Sequence, residues 1–528
     1  MLKTFCILST LVLLLLFFSC RTDFDYTKSN GTLEFSKDTV YLDTIFSNIG
    51  SSTYSLKVYN RSSTDISIPT IQLKNGDNSK YRLNVDGEAG QSFRDIPLFA
   101  QDSLYIFVET TADIANTEAK EFLHTDAIQF DKDTHLQEVQ LVTLIRDAIF
   151  LYPKRSVNGQ RETIVLDIKE SGEEIKVEGF PLRTDQLNFT KDKPYVIYGY
   201  AVVPPGRTLS MEAGTRVHFH KDSGILIKEN ASLHINGKLS EDRDVLENEV
   251  VFEGDRLEPN YTDVPGQWGS IWLSKGSIHN QIEYLTIKNA TVGILVQGDN
   301  TLEETTLSIK NSQIYNSENV NLWAKTAVIR SENLVLGSAG NISLYCNLGG
   351  DYSFIHATIA NYWKYGFRSS AALRLDNSNS DGSSSYDLVR ADFNNCIIYG
   401  SNQNELDLSE DKNSVFNYYF ENCLLKLKNS SENDLFNFSD TAHYNNMLLN
   451  LDPLFASPTS NSFLVKENSV AIGAGNLATA QMVPLDILGA GRTKNPTLGA
   501  YEVIIPELNS IIHHTMKENS FKFQLFCQ

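Results

Sequence analysis

A six-residue pattern that returns every 20 to 39 residues constrains this chain more than any other feature. It reads Ile282-Glu-Tyr-Leu-Thr-Ile287, Ile309-Lys-Asn-Ser-Gln-Ile314, Ile329-Arg-Ser-Glu-Asn-Leu334, Phe354-Ile-His-Ala-Thr-Ile359, Phe393-Asn-Asn-Cys-Ile-Ile398 and Phe420-Glu-Asn-Cys-Leu-Leu425, with starts 27, 20, 25, 39 and 27 residues apart. Such intervals are too short for separate domains and right for the coils of a solenoid. The first column is large and apolar, the sixth is Ile or Leu, and the fourth is mostly small. Positions four and six share one face of a strand and can enter a narrow core together. The third column holds Tyr, Asn, Ser, His, Asn and Asn. Asn tolerates left-handed backbone better than most residues, so this position suits a bend, and stacked Asn side chains can form a hydrogen-bonded ladder. Each strand then finds its backbone partners in the coils above and below.

The third segment, with Glu332 in the small column, fits least well. The interval of 39 contains Asp376-Asn-Ser-Asn-Ser-Asp-Gly-Ser-Ser-Ser385, a polar loop inserted into one coil. Earlier coils are expected in Gly206 to Phe219, Ser232 to Leu239 and Val250 to Gly254, and helical periodicity is nearly absent. The fold expected is therefore all-β, with a right-handed parallel β-helix over residues 194–503. Ahead of it, Tyr54 to Tyr59, Ser103 to Val108 and Val139 to Ile145 alternate as antiparallel strands of a β-sandwich over 32–152, and the run Leu56 to Asn60, Arg82 to Val85, Asp95 to Leu98 and Asp102 to Val108 resembles the immunoglobulin-like modules of Bacteroidetes surface lipoproteins. Residues 153–193, rich in charge, read as a connector with one hairpin.

The N-terminus carries Lys3, an apolar run from Phe5 to Phe18, and then Ser19-Cys20. This is the pattern of a signal peptide over residues 1–19. A small residue directly before cysteine points to lipidation at Cys20, with residues 20–31 as a polar tether. The formal charge is 45 − 65 = −20, and loss of Lys3 with the signal peptide leaves −21. An acidic chain of this kind is a poor partner for nucleic acid. Of six cysteines, Cys6 lies in the signal, Cys20 is the anchor and Cys527 is at the far end. Cys346, Cys396 and Cys423 are expected as buried, reduced thiols in the helix rather than as a disulfide framework.

Pro194-Tyr-Val-Ile-Tyr-Gly-Tyr-Ala-Val-Val203, Gly266-Gln-Trp-Gly-Ser-Ile-Trp272, Ile282-Glu-Tyr-Leu-Thr-Ile-Lys-Asn289 and His356-Ala-Thr-Ile-Ala-Asn-Tyr-Trp363 resemble the parallel β-helix lipoproteins of Bacteroidetes. Leu451-Asp-Pro-Leu-Phe455, Ser469 to Gly475 and Leu498-Gly-Ala-Tyr-Glu502 are similar to the closing segment of surface β-helix proteins of the pectate-lyase-like superfamily. The resemblance implies an outer-membrane, lipid-anchored and cell-surface location. It implies function poorly, because folds of this kind carry many activities. Residues 504–528 continue past the point where such chains usually stop and form a C-terminal tail without an assigned role.

Two function classes follow, with a purely structural spacer as a third. The first is a non-catalytic envelope lipoprotein whose β-helix surface binds glycan or envelope proteins. For it, Trp268, Trp272, Trp363 and Tyr365 are candidate sugar-stacking residues, since aromatic rings near turns offer open platforms. The alternative is a polysaccharide lyase or glycoside hydrolase of the pectate-lyase-like type. A lyase needs a base beside the uronate and a cation on its carboxylate. Lys364 and Arg368, with Arg374 and Arg390, form the best basic cluster. Asp407 and Asp411 read as a charged turn rather than as a hydrolytic pair. No cofactor is expected. Asn377, Asn379, Asp381 and Gly382 follow only the first half of a Ca²⁺-loop spacing, because Leu388 stands where the bidentate Glu belongs. His218 and His220 lack an evident third ligand for Zn²⁺.

The anchor is directly testable. Cys20→Ala should move the protein from the membrane fraction to the soluble one. Mass spectrometry of the wild-type N-terminal peptide should find acylated Cys20, and unchanged membrane association of the variant would refute the anchor.

Overall fold

The computed structural model describes residues 26–112, 121–168, 172–379, 382–428 and 434–503. The segment 1–19 expected as a signal peptide, Cys20 and the tail 504–528 lie outside these residues. Two compact units divide at Asp147 and Ala148.

The first unit is an all-β sandwich. One sheet runs Thr27–Lys28, Ile66–Leu73, Glu121–Phe130, Gln137–Arg146 and Thr39–Phe46, with Ser92–Leu98 also paired to Ile66–Leu73. The other runs Glu34–Phe35, Tyr54–Tyr59, Ser103–Thr110, Tyr81–Val85 and Glu88–Gly90. Their inward residues, among them Leu56, Val58, Ile106, Val108, Ile128 and Leu141, form one core. The period-two alternation of apolar residues places each strand with one face in that core. The end of the expected tether belongs to this unit. Thr27 and Lys28 pair with Ile66 and Ser67, while Ser29 and Gly31 donate hydrogen bonds to the buried Asp131.

The second unit is a parallel β-helix built from three ladders of parallel strands. Ladder A contains Tyr195–Ile197, Arg216–Phe219, Val250–Gly254, Leu285–Lys288, Gln313–Tyr315, Val335–Leu336, Thr358–Asn361, Ile397–Gly400, Leu424–Leu425 and Leu448–Leu449. Ladder B contains Tyr200–Val203, Gly224–Ile227, Ile271–Leu273, Val292–Gln297, the first halves of Val320–Glu332 and Ile342–Ile355, Leu373–Asp376 and Leu406–Ser409. Ladder C contains Thr208–Glu212, Ser232–Asn236, Asn280–Glu283, Leu307–Lys310, the second halves of those two long strands, Leu388–Asn394, Tyr419–Glu421 and Tyr444–Asn445. The chain passes from A to B to C and then turns back to A one coil further on.

That last turn carries the repeating hexad. Its bend residues Tyr284, Asn311, Asn333, His356, Asn395, Asn422 and Asn446 all have positive φ, between 48° and 56°. The residues that follow, Leu285, Leu334, Ala357, Cys396 and Cys423, are fully buried. The register corrects the third segment. Ile309 pairs with Ser331 rather than with Ile329, so Asn333 is the bend and Leu334 fills the column assigned to Glu332. A serine in the large apolar column concealed this two-residue shift. Asn333 Nδ2 donates to Asn311 Oδ1 at 2.8 Å, and Asn446 Nδ2 to Asn422 Oδ1 at 3.4 Å, as steps of the expected ladder.

Two boundaries differ from the sequence reading. Ile149–Leu151, expected at the end of the sandwich, pairs with Tyr195–Ile197 and starts ladder A. Within the expected connector, Thr163–Ile168 and Glu174–Pro181 form the hairpin, and its second strand pairs with Tyr200–Val202 of ladder B. Charged residues on the outer side of these strands hid their apolar contacts. Ile164, Leu166 and Val177 cover Tyr200, Val202 and Leu226.

The segment 471–502 lies along the outer face of ladder A. Ala471, Ile487, Leu498 and Ala500 pack on Val335, Ala360, Ile397 and Leu424. It also meets the bend residues: Asn333 donates to Leu485 O, Asn395 to Asn476 O and Asn422 to Ala474 O, while buried Arg492 donates to Asn333 Oδ1. The strap thus gives the amides of Asn333, Asn395 and Asn422 a carbonyl acceptor where it covers them.

Inside ladder C the rings of Phe354, Phe393, Phe420 and Tyr444 stack in consecutive coils, with centroids 5.2, 4.8 and 5.7 Å apart and planes within 10°. These separations follow the strand spacing of about 4.8 Å. Cys396 and Cys423 are buried free thiols beside this stack. Phe393→Ala should leave a cavity between two rings and lower stability by about 3–5 kcal/mol in urea unfolding; a loss below about 1 kcal/mol would contradict this packing.

Candidate functional site

The chain between Thr358–Asn361 of ladder A and Leu373–Asp376 of ladder B makes a loop where neighbouring coils have short bends. Its tip reads Trp363-Lys-Tyr-Gly-Phe367. Phe367 is 93% exposed and Tyr365 is 43% exposed. Trp363 is half-buried, close to Gly340 of the preceding coil, and meets Tyr365 edge to face at 5.1 Å. The Lys364 ammonium lies 5.2 Å from the Tyr365 ring centroid. Three residues singled out from the sequence, Trp363, Lys364 and Tyr365, therefore come together, and the structure adds Phe367.

The base of the loop is fixed by Arg368. Its guanidinium donates to Glu405 Oε1 at 2.6 Å and Oε2 at 2.9 Å, to Asn361 O at 3.1 Å, and to Ser370 O. Glu405 also accepts the backbone N–H groups of Ala372 and Asn402 at 2.9 and 2.7 Å. Both side chains are almost wholly shut off from solvent. A bidentate pair supported by further hydrogen bonds tolerates such burial and becomes a rigid staple between two coils. Arg368 is thus removed from the candidate lyase residues, because its charge is neutralised out of reach of a substrate.

The rest of the basic cluster is dispersed. Arg374, on ladder B, pairs with Asp376 at 3.2 Å and Asp407 at 3.7 Å. Arg390, on ladder C, shares Asp351 with Arg330, and the two guanidinium groups hold the Asp351 carboxyl below the usual carboxylate range despite its burial. Lys364 alone of the four stands open at the loop tip. The half Ca²⁺-loop is also engaged otherwise: Asn377 Nδ2 donates to the carbonyls of Asp411, Ser414 and Val415. Asp381 lies outside the described residues. His218 and His220 turn to separate acids, Glu253 at 3.7 Å and Asp255 at 2.7 Å. Among the described residues no three His, Cys, Asp or Glu side chains gather as a metal site.

Two of the proposed sugar-stacking rings are corrected. Trp268 is 1% exposed, stacks on Phe219 at 4.3 Å inside the coil and donates from Nε1 to Lys288 O. Trp272 faces outward on ladder B, but it packs beside the hairpin-covered cluster and donates to Gln297. It belongs to an outward column that continues through Leu295, Trp323, Tyr345, Arg374 and Asp407. The sequence signal for this column is the series Ile271-Trp-Leu273, Leu322-Trp-Ala324, Leu344-Tyr-Cys346 and Leu373-Arg-Leu375, whose middle residues point outward. Two of its rings are stacked: Trp323 and Tyr345 are 5.7 Å apart and within 14° of parallel, with Lys325 against the first and Arg374 against the second. Burial, reinforced by the hydrogen-bonded Asp376, pushes the Tyr345 hydroxyl well above its ordinary pKa. The Trp323 indole N–H is buried without a hydrogen-bond partner, so this row is closed by ring packing and flanking cations, whereas the loop at 363–367 presents Tyr365 and Phe367 together as exposed rings.

No protein-family profile and no curated protein matches the chain. Among solved structures, the periplasmic chaperone SfaE is 12% identical over 22% of this chain and 57% of its own length, with a TM-score of 0.16. A family 123 glycoside hydrolase from Clostridium perfringens is 6% identical over 23% of this chain and 30% of its own, with a TM-score of 0.16. The catalytic domain of a GH87 alpha-1,3-glucanase in complex with nigerose is 10% identical over 72% of this chain and 81% of its own, with a TM-score of 0.14. Similarities at this level assign neither a family nor an activity.

Proposed function

We propose that this is a non-catalytic cell-envelope lipoprotein, anchored to the outer membrane through Cys20, whose β-helix binds glycan at the loop 363–367. The observation that carries the reading is Phe367, 93% exposed beside Tyr365 on a loop whose base is locked by Arg368 and Glu405. Leaving such a ring in water forgoes about 1.5–3 kcal/mol of burial. Holding it on a rigid base lowers the ordering cost of binding a partner. Aromatic faces with a neighbouring ammonium suit the apolar face and hydroxyl rim of a sugar. The anchor rests on the run Phe5 to Phe18 before Ser19-Cys20, and the surface location on the resemblance to Bacteroidetes β-helix lipoproteins. The lyase or hydrolase alternative has less support, since three of its four bases are paired with carboxylates.

The test is a glycan array followed by calorimetry on the soluble body beginning at Arg21. Tyr365→Ala and Phe367→Ala should each weaken the selected glycan about tenfold, consistent with loss of one aromatic contact, with the melting temperature unchanged. Arg368→Ala, which leaves Glu405 buried without its partner, should instead cost about 3–5 kcal/mol of stability. A glycan bound equally by wild type and Phe367→Ala would exclude the loop as its site.

A further inference from the structure

A second aromatic surface lies on the sandwich, in the sheet formed by Tyr54–Tyr59, Ser103–Thr110 and Tyr81–Val85. Along Ser103–Thr110 the even-numbered residues Leu104, Ile106 and Val108 enter the core, which turns Tyr105 and Phe107 outward. They are 49% and 43% exposed, with ring centroids 6.2 Å apart and planes within 12°. Lys57 pairs with Tyr105 across the ladder, while Ser55 and Asn84 flank Phe107. The result is two neighbouring rings with small polar groups at one side and a cation at the other.

The charges of this face are unequal in kind. Arg61 is paired with Glu34 at 3.2 Å, and Arg82 with Glu109 at 3.7 Å. Lys57 differs. Its ammonium is held 5.0 Å from the Tyr105 centroid and 5.4 Å from that of Tyr59. Among the described residues no carboxylate or other acceptor meets it. The rings draw the ammonium to one place by their quadrupoles but leave its three N–H donors for water or a ligand. A sugar ring lying on Tyr105 and Phe107 would bring an attached carboxylate to that ammonium.

We propose that this face is a binding site for uronate-containing polysaccharide, with Tyr105 and Phe107 as the stacking platform and Lys57 as the carboxylate partner. The net charge of −20 is spread over the whole chain, and charges beyond a screening length of about 8 Å at physiological ionic strength contribute little; on this face Glu34 and Glu109 are paired with Arg61 and Arg82, which leaves the Lys57 ammonium to act locally. The site is independent of the loop at 363–367, and it binds without any bond being made or broken.

Affinity electrophoresis of the detergent-solubilised full chain, in gels containing pectate or fully methyl-esterified pectin, separates the two contributions. Pectate should retard the wild type more than the ester does, and the preference should vanish near 0.5 M salt. Lys57→Met, which keeps the aliphatic stem, should weaken pectate binding by about three- to fivefold, the range for one exposed ion pair, and abolish the preference. Tyr105→Ala and Phe107→Ala should weaken both ligands about tenfold, with circular dichroism and melting temperature as for wild type. Phe367→Ala should leave pectate binding unchanged, so failure of the loop reading and failure of this one are distinguishable. The proposal is overturned by equal retardation in the two gels, by wild-type behaviour of Lys57→Met, by loss of pectate binding in Phe367→Ala, or by a change of oligomeric state in Tyr105→Ala that accounts for the mobility.

Discussion

A coil of three parallel strands closes only if the backbone reverses sharply once per turn without opening a gap in the stack. Here that reversal is a single residue in left-handed conformation between ladders C and A, repeated in the same place from Tyr284 to Asn446. L-residues pay a conformational cost at positive φ that is smallest for Gly and modest for Asn. Asn also brings a side-chain amide able to join one bend to the next. The inward columns depend on this register: if one bend moved by a residue, the strand after it would present its polar face to the core.

This dependence explains what the sequence discloses. The bend column was legible because Asn and large apolar residues return together, and so was the placing of Cys396 and Cys423 in consecutive coils. The coil at Asn333 is masked in the sequence because Ser331 occupies the large apolar column, and Ile329, two residues earlier, imitates it. Period-two alternation makes a two-residue error hard to detect, since the same faces are kept. Ladder B carries its own signal, an outward residue between two inward ones, but a three-residue unit spaced by loops of varying length is weak without the C–A bend to set its phase.

At the candidate site, residue type was informative and environment was not. Trp363, Lys364 and Tyr365 are neighbours in sequence and stay together. Trp268 and Trp272 are equally conspicuous, yet one ring fills the coil and the other is packed against the hairpin's cluster, because their orientations follow from strand phase. Arg368 shows the converse limit. Nothing local distinguishes it from Arg374, while its partner Glu405 lies 37 positions away in the next coil. Only the stacking of coils places the carboxylate where it withdraws the guanidinium from solvent and turns a loop of aromatic residues into a fixed projection.

The strap formed by residues 471–502 changes the kind of folding problem this chain presents. A bare solenoid is nearly one-dimensional: each coil knows only its neighbours, and unfolding can fray inward from an end. Here contacts such as Arg492 with Asn333 and Tyr501 with Gln313 span 159 and 188 residues, bridging coils that are separate in the stack. Closing loops of that length slows the last stage of folding and links distant coils into one cooperative unit. A nascent chain can therefore stack its coils in order as they emerge, but it reaches a single closed topology only after the strap has been synthesised and laid across them.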